Sequence, residues 1–163
     1  MRVKDVMVGT PIACKFETNL GSAVELLWHQ QCGILPVANR EDKIIGVITD
    51  RDICIALGTR NRLPGEVAVG EVTTGKIFYC KPDDEIHKAL ATMAEKKVRR
   101  LPVIDAAGKL QGILSMDDVV LHAEPRKIGT TPDLTYEDVI ETFKKIYEPP
   151  LPELVPKREA VAA

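Results

Sequence analysis

An internal repeat is the feature that most constrains the fold of this chain. Residues 3–56 align with residues 69–122 without a gap, at a constant shift of 66 positions, and twelve of the 54 aligned positions are identical. The stretch Gly46–Asp52 returns as Gly112–Asp118, with the glycine, the hydroxyl and the final carboxylate at the same spacing. A self-match of this length indicates an internal duplication. The chain should therefore fold as two similar units that cover one another.

Length and charge limit the classes of protein to which the chain can belong. Its 163 residues suit one compact domain, so two repeats of this size are expected to share one core. The formal charge of −2, with acids and bases interspersed, shows no basic stripe for nucleic acid. No apolar run reaches the roughly 18 residues of a membrane span, and the N-terminus lacks a signal-peptide pattern. We expect a soluble, cytoplasmic protein that contacts neither nucleic acid nor membrane.

The hydrophobic spacing predicts the same order of elements, β-α-β-β-α, in both repeats. Thr18 and its counterpart Asp84 are the expected N-caps of the first helix in each repeat, and Thr49 begins the next helix of the first. The fold class is therefore α+β, with a linker at Gly58–Gly65. The first repeat is predicted to contain strands around 11–14, 33–37 and 44–48 and helices at 18–31 and 50–57; the second, strands at 77–80, 99–104 and 110–114 and helices at 84–96 and 116–123.

The cysteines and histidines do not form a metal-binding pattern. The four cysteines show none of the close pairs that bind zinc, and the three histidines are scattered. Cys14 and Cys80 occupy equivalent positions in apolar surroundings, which is typical of buried strand cysteines. Redox sensing is the alternative interpretation of these two thiols.

The doubled element order, the Leu-Pro-Val strand and the Gly-x-x-(Thr/Ser)-x-x-Asp signature together resemble a tandem pair of CBS domains, modules named after cystathionine β-synthase. The resemblance covers residues 1–123, with repeats at 1–60 and 61–123, and the Thr-Asp-Arg-Asp variant in the first repeat is similar to many small bacterial proteins that consist of little but one such pair. It implies two pseudo-symmetric clefts between the repeats, which in this family hold adenosine derivatives such as AMP, ADP, ATP or S-adenosylmethionine.

Two interpretations of the signature are open. In the first, Thr49 or Ser115 caps a helix and the acid three residues on completes a capping box that contributes about 1 kcal/mol. In the second, the helix N-terminus attracts phosphate while the carboxylate of Asp52 or Asp118 accepts hydrogen bonds from ribose hydroxyls. The two interpretations are compatible, because one hydroxyl can cap a helix and also contact a ligand.

The family resemblance implies which residues form each composite cleft. Arg51 adds a positive charge to the first cleft, whereas Asp117 adds a negative charge to the second, so an adenine nucleotide is expected to bind the first cleft more tightly. For the two arginines assigned to the second cleft, the alternative is that one of them is a solvated surface charge. The first cleft is assigned Val47, Thr49, Arg51, Asp52, Thr73, Phe78 and Val98; the second, Met7, Ile12, Cys32, Gly33, Arg99, Arg100, Ile113, Ser115 and Asp118.

Residues 124–163 lie beyond the resemblance. A helix over about 135–147 is predicted to begin near Thr135 and to carry an apolar stripe that includes Val139 and Ile146. Such a stripe either packs on its own domain or docks on a partner or second subunit. The Pro-rich tail that follows is expected to be extended.

No nucleophile with a base, paired carboxylate cleft or metal cluster stands at a recognisable spacing, so we expect no enzyme activity and no required cofactor. The sequence predicts a regulatory sensor that binds an adenosine-containing ligand between its repeats and signals to an effector protein. The alternative is a scaffold that binds no nucleotide, dimerises and presents its C-terminal helix to a partner. A homodimer is expected in either case.

Overall fold

Each repeat contributes two longer strands and two helices, in the order that the sequence predicts. The computed structural model describes residues 1–9, 11–73, 75–126, 129 and 132–149; the predicted tail beyond 149 lies outside these residues. A short 3₁₀ turn at Val3–Asp5 precedes the first strand. Two more 3₁₀ turns, at Pro64–Glu66 and Val69–Glu71, follow the last helix of the first repeat. The elements are β1 (Val8–Gly9), β2 (Cys14–Lys15), α1 (Leu20–His29), β3 (Ile34–Ala38), β4 (Ile44–Thr49), α2 (Asp50–Arg60), α3 (Ile86–Lys96), β5 (Arg100–Ile104), β6 (Leu110–Ser115), α4 (Met116–His122) and α5 (Tyr136–Tyr147).

One of the two small sheets joins the repeats, because β1 of the first repeat pairs with a strand of the second. One sheet has the order β2-β3-β4, whereas the other is β1-β6-β5, with β1 antiparallel to β6. Gly9 lies opposite Gly112 in this pairing. A Cβ at position 112 would lie 2.5 Å from Sδ of Met7 and 2.8 Å from the carbonyl oxygen of Val8, so only glycine allows the first repeat to approach β6 so closely.

The buried side chains form two clusters, and both repeats contribute to each. Val3 and Val6 are buried with residues of α3, β5, β6 and α4. Val67 and Val69 are buried with residues of α1, β3, β4 and α2. Each repeat thus lends its N-terminal segment to the interior of the other, which is how two short α+β units share the burial of their apolar faces.

Among the described α-helices, α2, α4 and α5 begin with a reciprocal capping box, and the first α-helix of each repeat does not. Asn19, rather than Thr18, caps α1 by accepting a hydrogen bond from the Ser22 amide. The Thr18 hydroxyl is not available for capping, because it accepts a hydrogen bond from the Lys15 amide at 3.1 Å in the preceding turn. The predicted cap at Asp84 is also wrong: its carboxylate accepts from the Lys81 amide and Lys88, and α3 begins after Glu85.

The first strand and the linker differ from the prediction. Strand β2 is confined to Cys14–Lys15, where it pairs parallel with β3, and its expected counterpart in the second repeat is reduced to one bridge between Cys80 and Val103. Helix α2 continues through Gly58 and ends at Asn61, which adopts the left-handed conformation (φ 50°) that commonly terminates a helix. The predicted linker therefore starts inside a helix, because a single glycine costs only about 1 kcal/mol there.

Helix α5 packs on the second repeat. Val139 and Ile146 are buried in the same cluster as Ile86, Leu90 and Met93 of α3. Ile140 and Tyr147, on the outer side, remain 53% and 63% exposed. The apolar stripe predicted from the sequence is thus divided between an internal contact and an open face.

Candidate ligand clefts between the repeats

The hydroxyl and the carboxylate of each signature form a capping box. Oγ1 of Thr49 accepts a hydrogen bond from the Asp52 amide at 3.1 Å, while Oδ2 of Asp52 accepts from the Thr49 amide at 2.9 Å and from its hydroxyl at 2.7 Å. Ser115 and Asp118 repeat this arrangement, with the Ser115 amide 2.9 Å from Oδ2. Each carboxylate accepts these hydrogen bonds through Oδ2, so Oδ1 of Asp52 and of Asp118 lies outside the box.

A third box shows that this arrangement is also used for capping alone. Thr135 and Asp138 make the same three hydrogen bonds at the start of α5. Thr135 is buried and lines neither of the two clefts described below. A capping box therefore does not by itself indicate a binding site. Only the residues around the boxes at Thr49 and Ser115 can show whether these two boxes border a ligand cleft.

The box at Thr49 borders a cavity of about 480 Å³, which we call the Thr49 cleft. Five of the seven residues that the sequence assigns to the first cleft line it: Val47, Thr49, Arg51, Phe78 and Val98. The remaining lining residues are Gly33, Ile34, Asp50, Lys76, Lys97, Arg99, Arg100 and Pro102.

Asp52 and Thr73 do not line this cavity. Asp52 lies behind Thr49, where the capping box holds its carboxylate. The hydroxyl of Thr73 donates to the carbonyl oxygen of Val69 at 2.9 Å, at the end of a 3₁₀ turn. The turn begins at Val69, which is buried in the cluster of the first repeat. Because Thr73 bonds to this turn, its side chain does not line the cleft.

The box at Ser115 borders a second cavity, of about 330 Å³, which we call the Ser115 cleft. Six of the nine residues that the sequence assigns to the second cleft line it: Ile12, Cys32, Arg100, Ile113, Ser115 and Asp118. The other lining residues are Val8, Pro11, Gln30, Gln31, Ile34 and Asp117.

Met7, Gly33 and Arg99 are placed elsewhere. Met7 lies against Gly112, where β1 crosses β6, and packs on the second repeat's buried cluster. Gly33 and Arg99 line the Thr49 cleft. Arg100 borders both cavities, because β5 begins at the boundary between them.

Gln31 and Lys97 are lining residues that sequence reasoning missed. They occupy equivalent positions at the ends of α1 and α3, and both adopt a left-handed backbone conformation, with φ of 48° and 54°. Gln31 lines the Ser115 cleft and Lys97 the Thr49 cleft. The signal was the polar residue after each helix, at the point where glycine or asparagine commonly ends the helix.

The electrostatic character of the two clefts differs. Asp117 and Asp118 stand among the residues of the Ser115 cleft, and Nη2 of Arg100 lies 3.7 Å from Oδ2 of Asp117. The residues of the Thr49 cleft instead include one carboxylate, Asp50, and a group of cations: Arg51, Lys76, Lys97, Arg99 and Arg100.

The cysteines do not form a reactive cluster at either cleft. Burial raises the pKa of the Cys14 thiol to about 11 and that of Cys80 to about 12. Cys32 is half-buried at the Ser115 cleft, and Cys54 is exposed on α2. Among the described residues, no group of three or more potential ligands is placed to hold a metal ion. None of the described helices has the length and apolar character needed to cross a bilayer.

Two α+β repeats with a cleft on either side of their junction define a tandem-repeat module, in which both repeats contribute residues to each cleft. The CBS domain model matches residues 3–59 and 69–124. The chain therefore belongs to the CBS domain family, as the resemblance in the sequence predicts.

Similar sequences include an uncharacterized archaeal protein and a mycobacterial hypoxic response protein. The chain is 33% identical over 127 residues to the uncharacterized protein MK0525 of Methanopyrus kandleri, covering 78% of this chain but only 62% of that protein. It is 32% identical over 120 residues to hypoxic response protein 1 of Mycobacterium tuberculosis, covering 73% of this chain and 82% of the relative.

Similar solved structures include complexes with ligands. Hypoxic Response Protein I with two coordinated zinc ions has a TM-score of 0.70 and 28% identity, covering 76% of this chain and all of that chain (100%). CBSX2 in complex with AMP has a TM-score of 0.64 and 29% identity, covering 74% and 93%. The CBS domain pair of protein MJ0100 with 5′-methylthioadenosine and S-adenosyl-L-methionine has a TM-score of 0.67 at 22% identity, covering 74% and 94%, which shows a shared fold.

Proposed function

We propose that this protein is a regulatory sensor that binds an adenosine-containing ligand in the clefts between its repeats. The observation that carries the proposal is the pairing of each capping box with an apolar wall from the other repeat. Thr49 faces Phe78 and Val98 across one cavity, and Ser115 faces Ile12 and Cys32 across the other. The similarity to a solved complex with AMP supports the same class of ligand.

In the Thr49 cleft, the base packs between the apolar side chains of Val47, Phe78 and Val98. The Thr49 hydroxyl and the first amides of α2 contact the ribose and phosphate, since a helix N-terminus favours a negative group. Oδ1 of Asp52, which the capping box does not use, accepts from a ribose hydroxyl after a small rotation of the side chain.

In the Ser115 cleft, the base packs against Ile12, Cys32 and Ile113, and Asp118 takes the ribose. Asp117 opposes a phosphate there, and Arg100 compensates only in part because it already faces Asp117. This cleft therefore accepts a nucleoside or a ligand of low negative charge more readily than a nucleotide.

Signalling follows from a difference in affinity between two arrangements of the repeats or of two subunits. A ligand in either cleft contacts both repeats and therefore stabilises the arrangement in which the walls are closest. The effector is a protein that recognises that arrangement. Val24 and Trp28 on α1, which are 43% and 78% exposed, provide an apolar surface for a second subunit.

Titration calorimetry with AMP for the Thr49 cleft and with adenosine for the Ser115 cleft, comparing Asp52→Ala, Asp118→Ala and Asp138→Ala, tests the proposal. The first two variants lose a capping box at a cleft, and the third loses the same box at α5, away from both clefts. All three should lose about 1 kcal/mol of stability. Only the first two should lose ligand binding, each at its own cleft; equal binding by all three variants would contradict the assignment of the carboxylates.

A scaffold that binds no nucleotide is the second candidate. It is favoured by the exposed Trp28 and by the exposed Ile140 and Tyr147 on α5, which offer two apolar surfaces for association. Absence of binding by any adenosine compound at millimolar concentration, together with a stable dimer in sedimentation, would select this function over the sensor.

A further inference from the structure

The Thr49 cleft concentrates positive charge in a chain whose formal charge is −2. Five basic residues line it, and they come from three separate segments: the start of α2, the loop before Phe78, and the connection from α3 to β5. The acidic side chain among the described lining residues is that of Asp50, whose Oδ1 accepts from the Arg51 amide at 2.8 Å. The basic residues are Arg51, Lys76, Lys97, Arg99 and Arg100.

The duplication supplies an internal comparison. At the shift of 66 positions, every one of these basic residues corresponds to a neutral or acidic residue in the other repeat. The cations are therefore not required by the fold, since the other repeat builds the same elements without them. The corresponding pairs are Arg51 with Asp117, Lys76 with Thr10, Lys97 with Gln31, Arg99 with Gly33 and Arg100 with Ile34.

Most contacts of these cations are with neutral groups. Nζ of Lys97 donates to the carbonyl oxygen of Glu148, and Nη1 of Arg99 lies 3.4 Å from the Tyr147 hydroxyl. Nζ of Lys76 lies 5.5 Å from the centre of the Phe78 ring.

Among these five basic residues, Arg100 forms an ion pair: its Nη2 lies 3.7 Å from Oδ2 of Asp117. Asp117 is 81% exposed, so water screens that pair. The five basic side chains repel one another because few carboxylates lie near them. A bound polyanion would reduce that repulsion.

We propose that the Thr49 cleft binds a chain of two or more linked phosphates, as in a nucleoside diphosphate or triphosphate or an inorganic polyphosphate. A single phosphate ester carries at most about two negative charges at neutral pH, fewer than the excess of cations in the cleft. A longer chain reaches cations from more than one of the three segments. The cavity of about 480 Å³ lies within the usual range for small-molecule sites, about 300–1,000 Å³.

For a nucleotide, this inference rests on the proposed function, because the nucleoside part uses the apolar wall and the capping box described above. For an inorganic polyphosphate, it rests on the cations alone. The two sources share the linked phosphates, and the probes below distinguish them.

The test is titration calorimetry on the full chain with adenosine, AMP, ATP and tripolyphosphate. ATP should bind at least about tenfold more tightly than AMP, because each added phosphate meets further cations. Raising the salt concentration should weaken ATP binding more than adenosine binding, since exposed charges are screened. Tripolyphosphate should compete with ATP.

A double variant, Lys76→Thr with Lys97→Gln, copies the residues of the other repeat into the Thr49 cleft. Gln31 already occupies the equivalent left-handed position, so the Lys97→Gln change suits the backbone. We expect ATP affinity to fall by about tenfold or more and AMP affinity by less than about threefold. The matched control is Lys109→Gln with Lys144→Gln, which removes two exposed lysines outside both clefts and should leave ATP affinity within about twofold.

Every outcome discriminates. If AMP binds and ATP binds no more tightly, the inference is wrong while the proposed function stands. If tripolyphosphate binds but no adenosine compound does, the inference holds for inorganic polyphosphate and the proposed function is wrong. If no probe binds at millimolar concentration, both are wrong. Should the double variant melt early, Arg51→Gln on the exposed first turn of α2 repeats the comparison, and an unchanged preference for ATP overturns the inference.

Discussion

Nη2 of Arg100 lies 3.7 Å from Oδ2 of Asp117, so one ion pair joins the shared wall of the two clefts to the acidic side of the Ser115 cleft. The Arg100 side chain is 30% exposed and that of Asp117 is 81% exposed. An anion in the Thr49 cleft therefore competes with a weakly held carboxylate for the same guanidinium. The pair couples the charge states of the two clefts.

Removing that carboxylate should strengthen anion binding in the Thr49 cleft. In Asp117→Asn, Arg100 loses its ionic partner and becomes available to phosphate, so we expect ATP affinity to rise by about threefold in titration calorimetry. Glu137→Gln, which removes an exposed acid on α5, is the control for net charge. Unchanged or weaker binding in Asp117→Asn would show that Arg100 does not reach the ligand.

Helix α5 should contribute directly to the stability of the second repeat. Ile146 is 7% exposed in the cluster shared with α3, so Ile146→Ala is expected to lower the free energy of unfolding by about 2–4 kcal/mol. Ile140, on the same helix, is 53% exposed, and Ile140→Ala should cost about 0.5 kcal/mol or less. Denaturant unfolding of both variants measures the difference in the free energy of unfolding. Equal losses would contradict the packing of the Ile146 side of α5 against α3.

The buried thiols should make stability fall at alkaline pH. The pKa values of Cys14 and Cys80 are raised to about 11 and about 12 by burial, above the value of 9.0 for a free thiol. The unfolded chain therefore loses protons from pH 9 upward while the folded chain keeps them. Their contribution is complete below pH 9 and is lost as pH rises toward 11–12, at up to about 1.4 kcal/mol per pH unit for each thiol.

Unfolding of Cys14→Ala with Cys80→Ala, compared with the natural chain between pH 8 and pH 10.5, isolates that contribution. The double variant should be less stable at pH 8, with a smaller further loss at pH 10.5. A thiol reagent at pH 8 should modify the exposed Cys54 before either buried cysteine. Parallel pH profiles, or rapid modification of Cys14, would contradict this account.

Trp28 should govern association of the protein. It is 78% exposed, with Val24 one turn earlier on α1 at 43%, whereas Leu90, the counterpart of Val24, is covered in the cluster that includes α5. If a second subunit covers α1, Trp28→Glu shifts the sedimentation coefficient of the protein toward that of a monomer. Leu121→Glu, at an 81% exposed position on α4, is the control and should leave it unchanged. A natural chain that is already monomeric would remove the predicted homodimer.

The duplication made the element order predictable, because each repeat supports the assignment of the other. The two capping boxes at α2 and α4 were predictable for the same reason. Boundaries that depend on competition between neighbouring groups were not: Thr18 and Asn19 both suit a helix start, and the Lys15 amide decides between them by occupying Thr18.

Cleft membership was predictable for side chains of the signature and less so for their neighbours. Arg99 and Arg100 are adjacent, yet only Arg100 reaches both cavities. Arg99 precedes β5 and Arg100 begins it, so the cavities that each side chain borders depend on how the repeats pack. Lys76 and Lys97 lie in a loop and at a helix end, outside any motif, so only the folded chain brings them together.

The exchange of N-terminal segments also sets the order in which the chain can be completed during synthesis. Val3 and Val6 are synthesised before the residues that bury them, because their cluster is built from residues between 80 and 146. Val67 and Val69 meet a cluster whose other members, at 14 to 56, have already been made. The first repeat can therefore close once Val69 has emerged, whereas Val3 and Val6 stay uncovered until α5 is complete. The segment at 3–6 is thus made before the core of the first repeat and buried after it.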